Sequence, residues 1–382
     1  MNQFGFVGET TEYKLSDLFN LQMGKTPSRN NAEFWSDGEY KWISIADLTK
    51  TGKYISETKE LLSQKAIDES GIAVIPTNTV VMSFKLSIGK TAITSEDMYS
   101  NEAIMSFHDR HVTELLPEYI YYLLLAQRWD EGANKAVMGM TQNKATLSNR
   151  KVRIHSIIAQ KSIVERLDKL QKLIDDRKTQ LDELETLIKA RFVEMFGNPE
   201  DSGNEWEQKP LFDLLNVIGG YAFKSDQFSE IGGIPVLRIG NINTGVFRPV
   251  NMVYWEDDEK LERYVIYAGD LVMSLTGTVG KDDYGNVCIM GNEYDKYYLN
   301  QRNAKLEIKS GLDKYYLSEL LKFECVKKKL TGISRGVRQA NISNKDILNL
   351  VVNVPPIELQ NQFAAFVTQV DKLKFVETIA RF

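Results

Sequence analysis

The residues of this chain fall into two sets that follow one another in the same order, and that repetition limits the fold more than any other feature. Leu15-Ser16-Asp17-Leu18 and Gly24 return as Leu211-Phe212-Asp213-Leu214 and Gly220, an offset of 196. Val81-Met82-Ser83 with Gly89-Lys90 returns as Val272-Met273-Ser274 with Gly280-Lys281, an offset of 191. Tyr99 and Asn101 match Tyr298 and Asn300, and Ser148-Asn149 matches Ser343-Asn344. The triplet Ile120, Leu123, Leu124 matches Leu317, Leu320, Leu321 at helical spacing, and Gln160-x-x-Ile163 matches Gln360-x-x-Phe363 at an offset of 200. Matches in one order at nearly one offset mean a single architectural unit written twice. With 382 residues, each copy can bury a core of its own.

Within a copy the pattern is mixed. Trp42-Ile43-Ser44-Ile45, Val80 to Phe84 and Ala103 to Phe107 read as short strands bounded by polar or Gly/Pro punctuation. Pro117 stands where a helix tolerates it, opening a segment that runs to Arg128. The expectation is an α/β (α+β) globule at 1–156 and a similar one at 198–355.

Between them the period becomes helical. Ile163, Leu167, Leu170, Ile174, Arg177, Leu181, Leu184 and Ile188 alternate steps of four and three, and only Arg177 interrupts the apolar seam. Eight basic and eight acidic residues between 161 and 195 flank it, the pattern of a coiled coil. The expected spacer helix is 157–197, stopped by Gly197-Asn198-Pro199. A second, shorter helix is expected at 356–382, after Pro355-Pro356, with Phe363, Val367, Val370 and Leu373 on its seam. The two helices are expected to pair antiparallel with approximate two-fold symmetry. An overlap of about 26 residues makes a rod of roughly 40 Å, close to one turn of duplex at about 3.4 Å per base pair, the spacing two-fold DNA binders use. If the seam is buried, truncating Leu170 or Leu181 to Ala would cost roughly 2–5 kcal/mol.

A net charge of −5 argues against a nucleic-acid coat, but DNA feels the field of one face rather than the total. Residues 128–153 carry a net +4 and residues 322–345 a net +6, at the same place in the repeat. Both stretches contain Gly, Gln and Asn, side chains and backbone suited to base edges, beside Lys and Arg for phosphates and guanine. Candidate DNA-contacting residues are therefore Gln142, Asn143 and Lys144 in the first copy and Arg335, Arg338 and Gln339 in the second. Two further repeated loops add Lys25, Thr26, Ser28, Arg29, Lys85, Ser87 and Lys90, and Tyr221, Lys224, Thr276, Thr278 and Lys281.

Catalytic patterns fail one by one. Gly24-Lys25-Thr26 looks like the end of a phosphate loop, but Phe19 stands where that loop requires glycine. Asn198-Pro199-Glu200 is not an amino-methyltransferase motif, and there is no Gly-x-Ser-x-Gly. Cys288 and Cys325 form no CxxC, and His108, His111 and His155 no HExxH, so neither a metal nor a cofactor is expected. Met1 to Phe6 lacks a signal-peptide pattern and no apolar run approaches ~18 residues, so a cytoplasmic protein without membrane contact is expected.

The arrangement resembles the specificity subunit of type I restriction-modification enzymes over nearly the whole chain. The likeness is carried by Leu15-Ser16-Asp17-Leu18 with Gly24-Lys25-Thr26-Pro27-Ser28, by Arg191-Phe192-Val193-Glu194-Met195-Phe196-Gly197-Asn198-Pro199, and by Val354-Pro355-Pro356-Ile357-Glu358-Leu359-Gln360. The resemblance implies two target recognition domains, each reading half of a split double-stranded DNA site, on helices that dock methyltransferase subunits. Restriction subunits join the same assembly, and the chemistry belongs to these partners. One departure is the second helix, shorter than the first. The competing reading is a coiled-coil scaffold that binds proteins without DNA specificity; a third is a nuclease, which would cleave DNA alone with a divalent metal.

Overall fold

The computed structural model describes residues 9–129, 134–136, 139–141, 143–201, 205–332 and 339–379. The chain divides into two compact units, Met1–Asp175 and Asp176–Phe382.

The first unit begins with an antiparallel ribbon, Thr10–Lys14 against Lys151–His155, so the start and end of the globule are zipped together. Its main sheet runs Phe19–Met23, Ile104–Asp109, Val80–Ser83, Thr91–Thr94, Tyr54–Ile55. Val80–Ser83 and Thr91–Thr94 are buried on both faces, which explains their continuous apolar and small-polar runs. A smaller sheet places Tyr40–Ile43 between Glu60–Leu62 and Tyr99–Ser100, the latter pairing parallel through Trp42 and Tyr99. Ser44 does not extend that strand. Its hydroxyl and Asp47 form a reciprocal cap that starts the helix Ile45–Lys50.

The second unit repeats this plan. Glu207–Pro210 pairs with Val351–Val354. Its main sheet runs Leu215–Gly219, Asn303–Ile308, Leu271–Ser274, Val287–Ile289, and Ile234–Leu237 pairs parallel with Tyr297–Leu299. Helices Pro117–Leu125 and Lys314–Lys322 occupy the same position in the two sequences of elements. Topology thus bears out the duplication read from sequence.

Physical roles emerge for several repeated residues. At Gly24 a side chain would collide with the carbonyl oxygens of Ser100 and Asn101, and at Gly220 with those of Leu299 and Asn300. Each glycine donates its N–H across the same turn, to Ile104 and to Asn303, both at 3.1 Å. Gln160 and Gln360 are fully buried. The Gln160 amide accepts from Leu116 N–H (3.0 Å) and donates to the carbonyls of Glu114 and His155 (both 2.9 Å). Gln360 accepts from Asp313 N–H (2.8 Å) and donates to Gly311 (3.1 Å) and Pro355 (2.8 Å). Each glutamine staples the first turn of a long helix to the loop before the shorter one.

One sequence match is corrected. Ser83 accepts from Gly89 N–H through its carbonyl and from Lys90 N–H through Oγ; Ser274 makes the same two bonds to Gly285 and Asn286. The structural counterpart of Gly89-Lys90 is therefore Gly285-Asn286, at the offset of 196 seen at Leu15, and the loop holding Gly280-Lys281 is five residues longer.

The central helix spans Ile157–Phe196, 40 residues, and ends at Gly197 with φ 83°. The terminal helix is described over Ile357–Ile379, 23 residues. In the second unit they run antiparallel: Phe196 and Phe192 meet Phe363, Arg191 lies over Phe366, and Lys374 bonds Glu185 at 2.6 Å. Ile188, Phe192 and Phe196 join Phe363, Val367 and Val370 in the core of that globule, together with Tyr316 and Phe323. The expected continuous seam is corrected at its middle. Ile163 and Leu167 are half-buried, with Ile163 packed on the first globule, and Leu181 and Leu184 are half-buried. Leu170 and Ile174 are 54% and 46% exposed, and Leu373 is 56% exposed. In the first unit the central helix is held by Asp168, which receives Lys53 (2.5 Å) and Tyr122 (2.6 Å).

Candidate nucleic-acid interface

In each unit the fold brings together loops that lie far apart in sequence. In the first, Lys85–Leu86 pairs antiparallel with Gly139–Thr141, Lys85 opposite Thr141. In the second, Thr276–Thr278 pairs with Gln339–Asn341, Thr278 opposite Gln339. The loop after the buried Val-Met-Ser strand is thus braced by the Gly/Gln/Asn-bearing stretch in both copies, two of the repeated loops forming one surface.

The first unit adds its glycine loop to this surface through Glu102. Thr26 donates its hydroxyl to Glu102, whose burial disfavours ionisation; that bond, a hydrogen bond from its own backbone N–H and the charges of Lys85 and Arg29 together outweigh it, and the carboxyl sits below its usual value. Lys90, Ser87, Ser28 and Lys144 are exposed, and Lys85 is half-buried against Phe84. Lys25 is exposed, with Nζ on the Ser70 carbonyl at 2.5 Å. Two candidates have structural work. Arg29 makes a two-pronged pair with Glu60 (2.5 and 3.0 Å) and lies 3.7 Å from the Trp35 ring centre, so its guanidinium, though exposed, is already engaged. Asn143 caps the helix Lys144–Ser148 by accepting from Thr146 N–H. Gln142 lies outside the described residues.

In the second unit Tyr221 is exposed beside Phe223 and Tyr264, and Lys224 and Lys281 are exposed. Thr278 is bonded through N–H and hydroxyl to Asp283, whose carboxyl is lowered chiefly by the Thr278 amide. Thr276 is half-buried, its hydroxyl without a partner among the described residues. Arg335 and Arg338 lie outside the described residues, and Gln339 is described only as part of its strand.

The charge count of the 322–345 stretch is revised by pairing. Lys322 bonds Glu319 (2.5 Å), Lys328 bonds Glu324 (2.6 Å), and Lys327 is buried on Asp282 and Asn286. These lysines line an open cleft of about 800 Å³ with Lys281 and Gly245. Glu319 and Asp282 lie outside the counted stretch, which is why sequence counting missed them. Among the described residues no three His, Cys, Asp or Glu side chains gather as metal ligands would, and no helix is long and apolar enough to cross a membrane.

What the fold defines is a duplicated α/β protein in which each copy braces two polar loops on one strand pair and closes on a long helix. Residues 8–186 and 203–380 each match the type I restriction modification DNA specificity domain, and the chain belongs to that family. Among its relatives are the MjaIX and MjaVIII specificity subunits of type I restriction enzymes from Methanocaldococcus jannaschii. The first is 26% identical over 61% of this chain, and the second 25% identical over 94%. The matched part spans 58% of the first relative's length and 85% of the second's. Among solved structures, the S subunit of a type I restriction-modification system from M. genitalium aligns with 99% of this chain and 93% of its own, at 13% identity and a TM-score of 0.56. A chain from a type I restriction-modification system studied for complex assembly and conformational transition aligns at 16% identity and a TM-score of 0.52, covering 98% of this chain and 94% of its own. Those two likenesses extend to the fold.

Proposed function

We propose that the chain is the DNA-reading, non-catalytic subunit of a type I restriction-modification complex. It recognises a bipartite, asymmetric double-stranded site and docks methyltransferase and restriction subunits. The observation that carries this reading is the pair of strand-braced loop surfaces, one per family domain. Lys85, Lys90 and Lys144 in one unit, and Lys224 and Lys281 in the other, supply phosphate contacts that fix register. Ser87, Tyr221, Thr276, Thr278 and the Gln/Asn-bearing stretches supply base contacts. The frameworks match while the braced loops differ in length and sequence, so two copies of one fold read two different half-sites.

The test is methylation profiling of a genome expressing the chain with its partner subunits, followed by binding of the assembled complex to the deduced duplex. A split motif is expected, with affinity falling steeply as salt rises. Lys90→Ala and Lys281→Ala are each expected to weaken contacts at one half-site. Binding indifferent to sequence in the presence of the methyltransferase subunit would overturn the reading in favour of a protein scaffold, and metal-dependent cleavage by the purified chain alone would overturn the non-catalytic assignment.

A further inference from the structure

The loop 84–90 of the first unit is closed at its base by one fully buried residue. The Ser83 carbonyl accepts from Gly89 N–H at 2.9 Å, and its Oγ accepts from Lys90 N–H at 3.1 Å and donates to the Ser87 carbonyl at 2.5 Å. Gly89 turns at φ 89°, where any side chain would strike the Trp129 indole. The other flank, Lys85–Leu86, is fixed by its pairing with Gly139–Thr141.

Between these constraints Leu86 is held at φ 65°. Asn tolerates the left-handed region, but a bulky side chain there is a true outlier, and such strain persists only where the surroundings over-determine it. The leucine recovers little of that cost by packing, because it is 53% exposed and stands in none of the core clusters formed by the described residues. It stands between Lys85 and Lys90 on the braced surface. In the longer loop of the second unit, residues 275–286, the left-handed positions are Gly280 and Gly285, so the strained leucine belongs to one unit alone.

We propose that Leu86 is an apolar reading residue of the first unit, an inference that rests on the DNA-recognition reading above. It presses on the exposed apolar surface of a base, either a thymine 5-methyl group or the faces of an opened base step, while Lys85 and Lys90 hold the neighbouring phosphates. A rigid, closed loop suits this task, since an apolar tip that collapsed onto the protein would have to be pulled out before contact.

The experiment uses the full chain assembled with its methyltransferase subunits and a duplex carrying the profiled site. Leu86→Ala, Leu86→Gly and Leu86→Asn are compared with the unchanged protein. Binding is expected to weaken about tenfold, which corresponds to about 1.4 kcal/mol, with the loss confined to one half-site. Leu86→Gly is expected to unfold at the same or a higher temperature, because glycine relieves the backbone. Replacing each thymine of that half-site by uracil, and each adenine by 2-aminopurine, separates the two modes. Lost affinity on one uracil substitution identifies the methyl contact, and raised 2-aminopurine fluorescence on binding identifies the opened step; either signal is expected to vanish in Leu86→Ala. Unchanged binding by the variants, absence of both signals, or a lower unfolding temperature for Leu86→Gly would overturn the inference. If the unchanged protein prefers its site and the variants match it, only the role of Leu86 fails; if the unchanged protein has no preferred site, the DNA-recognition reading fails as well.

Discussion

Replacing Phe192 by Ala separates the buried part of the helical seam from its exposed middle. Phe192 is 1% exposed and its ring meets four others: Phe196 at 4.9 Å, Phe323 at 4.9 Å, Tyr316 at 5.3 Å and Phe363 at 5.5 Å. Removing a buried phenylalanine costs roughly 3–5 kcal/mol. Because the hole is walled by other rings rather than by flexible chains, the upper part of that range is expected. Leu170 lies on the same seam but is 54% exposed. Half of the roughly 1.5–3 kcal/mol gained by burying a leucine is already forgone, so Leu170→Ala is expected to cost no more than about 1.5 kcal/mol. In calorimetry, 1 kcal/mol moves the midpoint of a domain this size by roughly 2–4 °C. The expected fall is therefore about 8–20 °C for the transition that includes the second unit in Phe192→Ala, and about 6 °C at most in Leu170→Ala. Equal losses for the two variants would show that the seam is buried along its length and would refute the reasoning.

Ala at Gly24 or Gly220 drives a Cβ into carbonyl oxygens that cannot retreat without breaking the adjoining turn, so each variant is expected to lose more than about 2 kcal/mol in chemical denaturation; a neutral result at either would refute the shared role. Burial raises the pKa of Asp168, but Lys53 and Tyr122 outweigh it and hold the carboxyl below its usual value. Its contribution to the first unit is therefore present above the ordinary aspartate range, near pH 4, and is lost as pH falls through the lowered value. Asp168→Asn is expected to flatten that part of the stability–pH profile, and an unchanged slope would count against the attribution. Lys328 is already paired with Glu324 whereas Lys281 is exposed on the braced loop. If Lys281 contacts a phosphate, Lys281→Ala lowers the slope of log affinity against log salt by about 0.9 and Lys328→Ala leaves it alone; the reverse result would move the phosphate contact from Lys281 on the braced loop to Lys328 on the helix Glu324–Thr331.

The duplication, the 40-residue helix and its Gly197 stop are legible in the sequence because each is a matter of order or period. What covers a period is not. Leu170 and Ile188 stand on the same seam, yet one faces solvent and the other lies in a globule's core, since the 3-4 spacing reports which positions are apolar and says nothing of their partners. The Gly-Lys match failed for a related reason: a five-residue insertion carries its own Gly280-Lys281, and only the hydrogen bonds of Ser83 and Ser274 show which glycine closes each loop. Local charge misled because Lys322 and Lys327 are neutralised by residues outside their own stretch. Gln160 and Gln360 were visible as a match, but their task follows from the loops they hold, 44 to 49 residues away.

The residues that recur between the copies are those whose replacement would damage the scaffold: the glycines against Asn101 and Asn300, the serines that close the braced loops, the stapling glutamines. Those that differ sit on the surface which that scaffold presents. Loop 84–90 is short, strained and apolar at its tip, whereas loop 275–286 is longer and tied by Thr278 to Asp283. Because Ser83 and Ser274 close each loop at its base while Phe84, Leu275 and Tyr284 anchor it in the core, the exposed residues between can change in number and kind with little cost to the core. In the proposed reading this is how one fold, used twice, recognises two unlike half-sites: specificity is confined to the exposed residues of anchored loops, and the fixed framework keeps each loop braced against its partner strand.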